Sequence, residues 1–246
     1  MGIFRFKRFS VKNESSAMKV NTDGVLLGAV MKIVPEDRFF LDVGTGTGTV
    51  ALMAAQRCED LRGAMSLPEI CIDAIDSDSP SAAEAGENFS ASPWGGILHA
   101  YNKSLEEFSA DCTAEYDLIF SNPPYFDCSL QAPQLRRNAA RHTASGLSYR
   151  ELLEFSASRL SASGRLAVIL PADQEKALLR HARMCSLFLF RMTKIRTVPR
   201  KSDSRIIAEF SRTRCVEPSY ENLVIQNEGK YTSEYISLTK DFYLLF

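Results

Sequence analysis

Short apolar runs alternate with longer amphipathic stretches through the middle of the chain, the pattern of a mostly parallel sheet with helices on both faces. Phe39 to Val43 reads as a first buried strand, followed by a glycine turn and a helix from Val50 to Arg57. Ile70 to Ile75 is a second strand with its helix over Pro80 to Phe89, Ile97 to Tyr101 a third, and Tyr116 to Phe120 a fourth. Ser148 and Glu151 stand in the S-x-x-E relation of a capping box. That box predicts a helix to about Leu160, closed by Gly164, before a fifth strand from Arg165 to Leu170. A helix from Asp173 to Cys185 and two further strands, Phe188 to Val198 and Ile206 to Ser211, predict an antiparallel edge on the sheet. The periodicity leaves the segment before Asp37 and the tail after Val216 without clear assignment. They read as additions to one domain: 1–36 ahead of a core over 37–215, then 216–246.

With 246 residues, 45 % of them hydrophobic and 24 % charged, the chain suits one large α/β domain with a substantial core. No stretch approaches the length of a membrane helix, and Met1 to Phe9 lacks the apolar run of a signal peptide, so the expectation is a cytoplasmic protein with no membrane partner. Cys58, Cys71, Cys112, Cys128, Cys185 and Cys215 form no C-x-x-C pair and the histidines no metal pattern, so reduced thiols and no metal are expected. The net charge of −1 hides a strong asymmetry. Arg5, Lys7, Arg8, Lys12 and Lys19 crowd the start, Arg136, Arg137, Arg141 and Arg150 the middle, and Arg191, Lys194, Arg196, Arg200, Lys201 and Arg205 a later stretch. Residues 59–87 instead hold eight carboxylates against Arg62. One basic face, suited to nucleic acid, is therefore expected.

Leu41-Asp42-Val43-Gly44-Thr45-Gly46-Thr47-Gly48 falls at the carboxyl end of the first strand, where doubly wound sheets bind nucleotides. Thr49 stands one position after Gly48, so the G-x-G-x-x-G spacing of dinucleotide sites is absent, as is the G-K-[ST] of phosphate loops. An acid followed by G-x-G-x-G fits an adenosine ligand without a pyrophosphate, and S-adenosylmethionine is that ligand. Asp76, ending the second strand, is positioned to accept both ribose hydroxyls, whereas Asp78 reads as a helix cap. After the fourth strand comes Ser121-Asn122-Pro123-Pro124-Tyr125. An aromatic amine is a poor nucleophile because its lone pair is delocalised. The Asn122 oxygen and the Pro123 carbonyl can each accept one amine hydrogen and aim the lone pair at a methyl donor, with Pro124 stiffening the turn and Tyr125 stacking on the base.

Asp42 to Gly48 and Asn122 to Tyr125 resemble the cofactor loop and N-P-P-Y motif of class I amino-methyltransferases, whose fold is a Rossmann-like, seven-stranded, mostly parallel sheet with an antiparallel edge strand. Within that class, Phe9 to Ala29 and Leu238 to Leu244 are similar to the corresponding segments of bacterial tRNA valine adenine-37 N6-methyltransferases, so the resemblance spans nearly the whole chain. It implies that Lys19 to Gly24 wall the cofactor pocket with Thr22 and Asp23 near the methionine moiety, and that Arg136, Arg137, Arg141 and His142 lie beside the target base. It implies a tRNA anticodon stem-loop as substrate, with a monomer favoured and oligomeric state left open. Two positions depart from the family: Ser104 replaces an Asp that contacts the cofactor adenine in many relatives, leaving a weaker pocket candidate, and Asn21 replaces a usual Gly. Arg200, Lys201 and Arg205, on a loop between edge strands, are expected to contact the RNA backbone. Release-factor glutamine methyltransferases share N-P-P-Y but usually carry a helical domain ahead of the first strand. A ribosomal RNA amino-methyltransferase is a further alternative; a DNA methyltransferase, a non-catalytic binding module and a dehydrogenase fit less well.

Overall fold

A computed structural model describes residues 2–63, 69–124 and 147–246. The chain opens with a small hairpin, β1 (Ile3–Arg5) and β2 (Ser10–Lys12), then a helix, α1 (Thr22–Val30). The alternating core follows: β3 (Phe39–Val43), α2 (Thr49–Arg62), β4 (Cys71–Asp76), α3 (Ser79–Ser90), β5 (Leu98–Asn102), α4 (Leu105–Asp111) and β6 (Tyr116–Ser121). Beyond residue 146 come α5 (Tyr149–Arg159), β7 (Leu160–Pro171), α6 (Glu175–Met184), β8 (Phe188–Arg196) and β9 (Arg205–Ser211). The tail supplies β10 (Ser219–Val224), a two-residue ladder of β11 (Gln226–Asn227) and β12 (Lys230–Tyr231), and α7 (Ser233–Thr239).

The main sheet has eight strands in the order β10-β8-β9-β7-β6-β3-β4-β5. Every neighbouring pair is parallel except those made by β9, which runs against both β7 and β8. The antiparallel strand is thus internal rather than at the edge. Beyond the seven expected strands, the tail pairs β10 alongside β8 as an eighth. From β3 the chain winds outward through β4 to β5, then returns to β6 on the other side of β3. That reversal opens a crevice at the carboxyl ends of β3 and β6.

Burial on both faces explains why the strands read as continuous apolar runs. Phe40, Leu118, Phe120 and Ile169 point into one core, packed with Leu26, Met53 and Phe89. Leu41, Ile119, Leu166 and Val168 point into the other, packed with Leu152 and Leu178. One boundary differs from the sequence expectation: α5 ends at Arg159 and β7 begins at once, so Gly164 does not close the helix. It sits where the β6–β7 register slips, and a Cβ there would lie 2.6 Å from the Tyr116 carbonyl oxygen and 2.7 Å from Ser161 N. Only glycine permits that close backbone approach.

The aromatic, basic start has another role than the one its composition suggests. Phe6 and Phe9 are buried and stack on each other, with Tyr243 and Trp94 against them. Arg8 pairs with Glu59 and Asp60, and Lys12 with Glu87. Arg8 and Lys12 of the first basic cluster are therefore met by the acidic stretch over 59–87, while Lys7 and Lys19 reach the carbonyls of Phe246 and Glu14. The five described cysteines are free thiols. No helix among the described residues is long and apolar enough to cross a membrane.

Candidate active site

The glycine turn leaves β3 in a tight coil. Gly44 N and Thr45 N both donate to the Ile75 carbonyl, at 2.9 and 3.0 Å, which ties the turn to the end of β4. Gly44, Gly46 and Gly48 adopt φ of +74°, +56° and +79°, a region costly for residues with a Cβ. Gly48 has no alternative, since a Cβ there would lie 2.5 Å from Phe89 Cε1. Gly46 N donates to Asp76 Oδ2 at 2.8 Å, and Asp78 N to Asp76 Oδ1 at 2.9 Å. Asp78 caps α3 by accepting from Ser81 N, as its sequence position suggests. Asp42 is 1 % exposed and accepts from Thr45 Oγ1 at 2.8 Å. Burial pushes its carboxyl up to about 7; the Thr45 bond opposes this and the charge of Asp76 adds to it.

A second wall comes from β6. Ser121 Oγ donates to the Val43 carbonyl at 2.6 Å, locking the ends of β6 and β3 together. Asn122 follows, largely buried, with Nδ2 3.5 Å from Met18 Sδ. Pro123 is buried and Pro124 half-buried beside it. Tyr125, Arg136, Arg137, Arg141 and His142 lie outside the described residues.

The third wall is the segment before α1, held by a buried acid. Glu84 on α3 accepts the backbone N–H groups of Glu14, Ser15 and Ser16 at 2.8, 2.6 and 3.1 Å. Burial would raise its carboxyl, but these three bonds hold it below its ordinary value. Ser81 Oγ accepts from Ala17 N, and Ser16 Oγ donates to the Met18 carbonyl. Asn21 then caps α1: its side chain accepts from Gly24 N at 2.8 Å, with its own backbone extended at φ −140°. The departure from the family's glycine is thereby accommodated without strain, since no positive φ is needed.

The three walls enclose one cavity. Of the residues singled out from the sequence, Asp42, Gly44, Thr45, Gly46 and Asn122 line it. Gly48 shapes the turn and Asp76 braces Gly46. Thr22 and Asp23 sit in the first turn of α1, where the neighbouring Asn21 and Gly24 are the lining residues. Ser104 is not among the lining residues; its hydroxyl is engaged in the capping box of α4 with Glu107. Lys19 and Val20 line it too, within the stretch that the family resemblance implies as a wall, and Met18, Thr47, Thr49 and Val50, which the motifs did not single out, complete the lining. Thr47 and Val50 adjoin the glycine motif and were within reach of it, whereas Met18 is brought in only by the Glu84 clasp.

Because β8 runs parallel to β7, the turn from Thr197 to Ser204 emerges on the same rim as Val43 and Ser121. Arg200 and Lys201 are exposed on it. Arg205 differs from expectation: at the start of β9, its Nε donates to Asp23 Oδ2 at 2.8 Å. Among the described residues no cluster of His, Cys, Asp and Glu is arranged to hold a metal ion.

No family model matches the chain. Curated proteins do. The chain is 41 % identical over 242 residues to a tRNA1(Val) (adenine(37)-N6)-methyltransferase of Parabacteroides distasonis, covering 98 % of this chain and 97 % of that protein. It is 38 % identical to the protein of the same description from Flavobacterium johnsoniae, over 98 % and 99 % of the two chains. For that of Actinobacillus succinogenes the figures are 37 %, 99 % and 98 %. Among solved structures, a predicted O-methyltransferase from Agrobacterium tumefaciens superposes with a TM-score of 0.65 at 14 % identity, covering 89 % of this chain and 96 % of that one. A methyltransferase from Pyrococcus furiosus gives 0.57 at 16 %, over 82 % and 89 %. At such identity these two share the fold alone: a class I methyltransferase sheet. Similarity to the curated relatives extends over nearly the whole of each chain, and the chain belongs to the tRNA1(Val) (adenine(37)-N6)-methyltransferase family.

Proposed function

We propose that this protein transfers the methyl group of S-adenosylmethionine to N6 of adenine 37 in tRNA1(Val). The observation that carries the reading is the Ser121–Val43 bond, which sets Asn122 against the glycine turn at the rim of one cavity. The residues suit the donor. Three positive-φ glycines let backbone approach a ligand closely, and Asp42 and Asp76 set two carboxyl groups beside the turn; burial raises both, and a sulfonium cation next to them would favour their charged forms. When bound, S-adenosylmethionine supplies an electrophilic methyl group.

The chain's own contribution is orientation. The Asn122 side-chain oxygen and the Pro123 carbonyl each accept one hydrogen of the adenine amine, drawing its lone pair out of conjugation and towards the donor. As N6 gains positive character, the same two acceptors stabilise it and hold the proton that leaves to solvent. No strong base is needed. Tyr125 stacks on the base, and Arg136, Arg137, Arg141 and His142 flank it. A loop base of the anticodon stem-loop costs little to splay into such a site. Arg200 and Lys201, exposed on the same rim, contact flanking phosphates.

Methyl transfer from labelled S-adenosylmethionine to unmodified tRNA1(Val) tests the proposal, with an adenine-37 to guanine transcript and Asn122→Ala as controls. Label on the wild-type pair alone is expected, with Asn122→Ala losing at least about a hundredfold in rate. Donor binding without label on any tRNA overturns the substrate and directs attention to a protein glutamine or a ribosomal RNA base.

A further inference from the structure

The basic turn ends in a residue whose charge faces inward. Arg205 stands opposite Pro171 of β7 and Ile195 of β8, at the rim of the sheet. Its Nε reaches Asp23 Oδ2 at 2.8 Å and its Nη1 the Ser204 carbonyl at 2.9 Å, with both side chains of the ion pair mostly buried. Asp23 lies in the first turn of α1, two residues after Asn21.

That first turn is a working wall of the cavity. A Cβ on Gly24 would lie 3.5 Å from Val50 Cγ2, 3.6 Å from Asn21 Oδ1 and 4.0 Å from Asn122 Nδ2, so the helix start packs directly on the glycine-turn helix and on Asn122. Further along, Gly28 presses on Met53, where a Cβ would lie 2.8 Å from its sulfur. The helix is thus seated along α2 by apolar packing, while its opening turn is tied to the sheet through the charged pair. An ion pair at a helix N-terminus also has the acid where the helix dipole favours it.

We propose that Arg205 is a positioning residue for methyl transfer: through Asp23 it fixes the first turn of α1, so that Asn21 and Gly24 hold the cavity wall against Asn122. It is not a phosphate contact. The proposal rests on the cavity being the S-adenosylmethionine site, but not on the identity of the methylated base.

The test compares wild type, Arg205→Met, Arg205→Lys, Asp23→Asn and the exchange of Asp23→Arg with Arg205→Asp. Each is measured for S-adenosylmethionine affinity by calorimetry without RNA, for tRNA affinity over a salt series, and for kcat and donor KM. Arg205→Met and Asp23→Asn are each expected to weaken donor binding about three- to tenfold, as a partly screened pair does, and to raise donor KM in step. The tRNA affinity and its salt slope stay unchanged, and Arg205→Lys or the exchange restores donor binding. The proposal is overturned if Arg205→Met keeps donor affinity, or flattens the salt slope of tRNA binding. Donor loss that neither Arg205→Lys nor the exchange restores also overturns it. Wild type that binds donor but leaves adenine 37 unmethylated removes the substrate reading alone, since the donor affinities still decide the role of Arg205.

Discussion

Asp42 is a carboxyl group whose folded environment works against its charge. Its ordinary value lies near 4, and burial among the strand ends pushes it up to about 7. Below about pH 4 the proton is held in both folded and unfolded chains. Between about 4 and 7 the unfolded chain releases it and the folded one keeps it, so stability falls as pH rises, then levels off above 7. Asp37 and Asp76 are raised by burial as well and act in the same direction. Asp42→Asn, which keeps an acceptor for Thr45, should flatten this decline and be the more stable protein at pH 8 when both are unfolded in urea. Equal slopes for the two proteins would contradict the assignment. Gly48 offers a second residue-scale test. An added methyl meets both a positive φ and the Phe89 ring, so Gly48→Ala should cost about 2–4 kcal/mol, read as a lowered melting temperature. Gly63, at φ +77° and ψ 158°, has nothing within 4 Å, so Gly63→Ala should cost about 1–3 kcal/mol from backbone strain alone.

Among the elements, those of the central sheet were legible because their pattern is local. Phe39–Val43 is apolar but for Asp42 since from Phe40 onwards both of its faces are covered, and the Ser148–Glu151 box announces α5 within four residues. Gly164 resembles the stop of α5 in the sequence, whereas its task is set by the Tyr116 carbonyl on a neighbouring strand. The segment over residues 14–18 had no periodicity to read. It is ordered by Glu84, a side chain about 70 residues away, so nothing local announces it. Glu84→Gln, which replaces one acceptor oxygen by a donor and removes the charge, should cost about 2–3 kcal/mol. The amides of Glu14, Ser15 and Ser16 should then exchange with solvent faster, and donor affinity should drop as Met18 and Asn21 lose their anchor. Unchanged exchange at those three amides would refute the clasp.

Across the whole molecule, charge is sorted by pairing. Arg8 and Lys12 meet Glu59, Asp60 and Glu87 on α2 and α3, and Arg191 meets Glu209. Arg200 and Lys201 instead project from the rim that carries Asn122. The double variant Arg200→Ala with Lys201→Ala should therefore weaken tRNA binding and lower the salt slope by up to about 2, while Arg8→Ala with Lys12→Ala leaves both unchanged. The reverse pattern would place the RNA against α2 and α3 instead. The two ends of the chain meet as well, Lys7 N donating to the Phe242 carbonyl at 2.8 Å, and α2 joins the tail through Gln56 Nε2, which donates to the Asp241 carbonyl at 3.0 Å. The tail is thus part of the wall-bearing side of the fold, which its weak pattern did not disclose.

By itself the sequence determined the succession of strands and helices and the two motifs at the strand ends. Hydrophobic period, glycine and proline act on the backbone within a few residues, and a glycine turn after one strand and Asn-Pro-Pro after another must fall on one rim once the strands are parallel. Only the tertiary structure decided which charges project from the rim and which are paired within the fold. Arg205 and Asp23 are 182 positions apart, and Arg8 and Glu59 are 51. Such pairs exist because the sheet order brings their elements together, and no local pattern in the chain encodes that order.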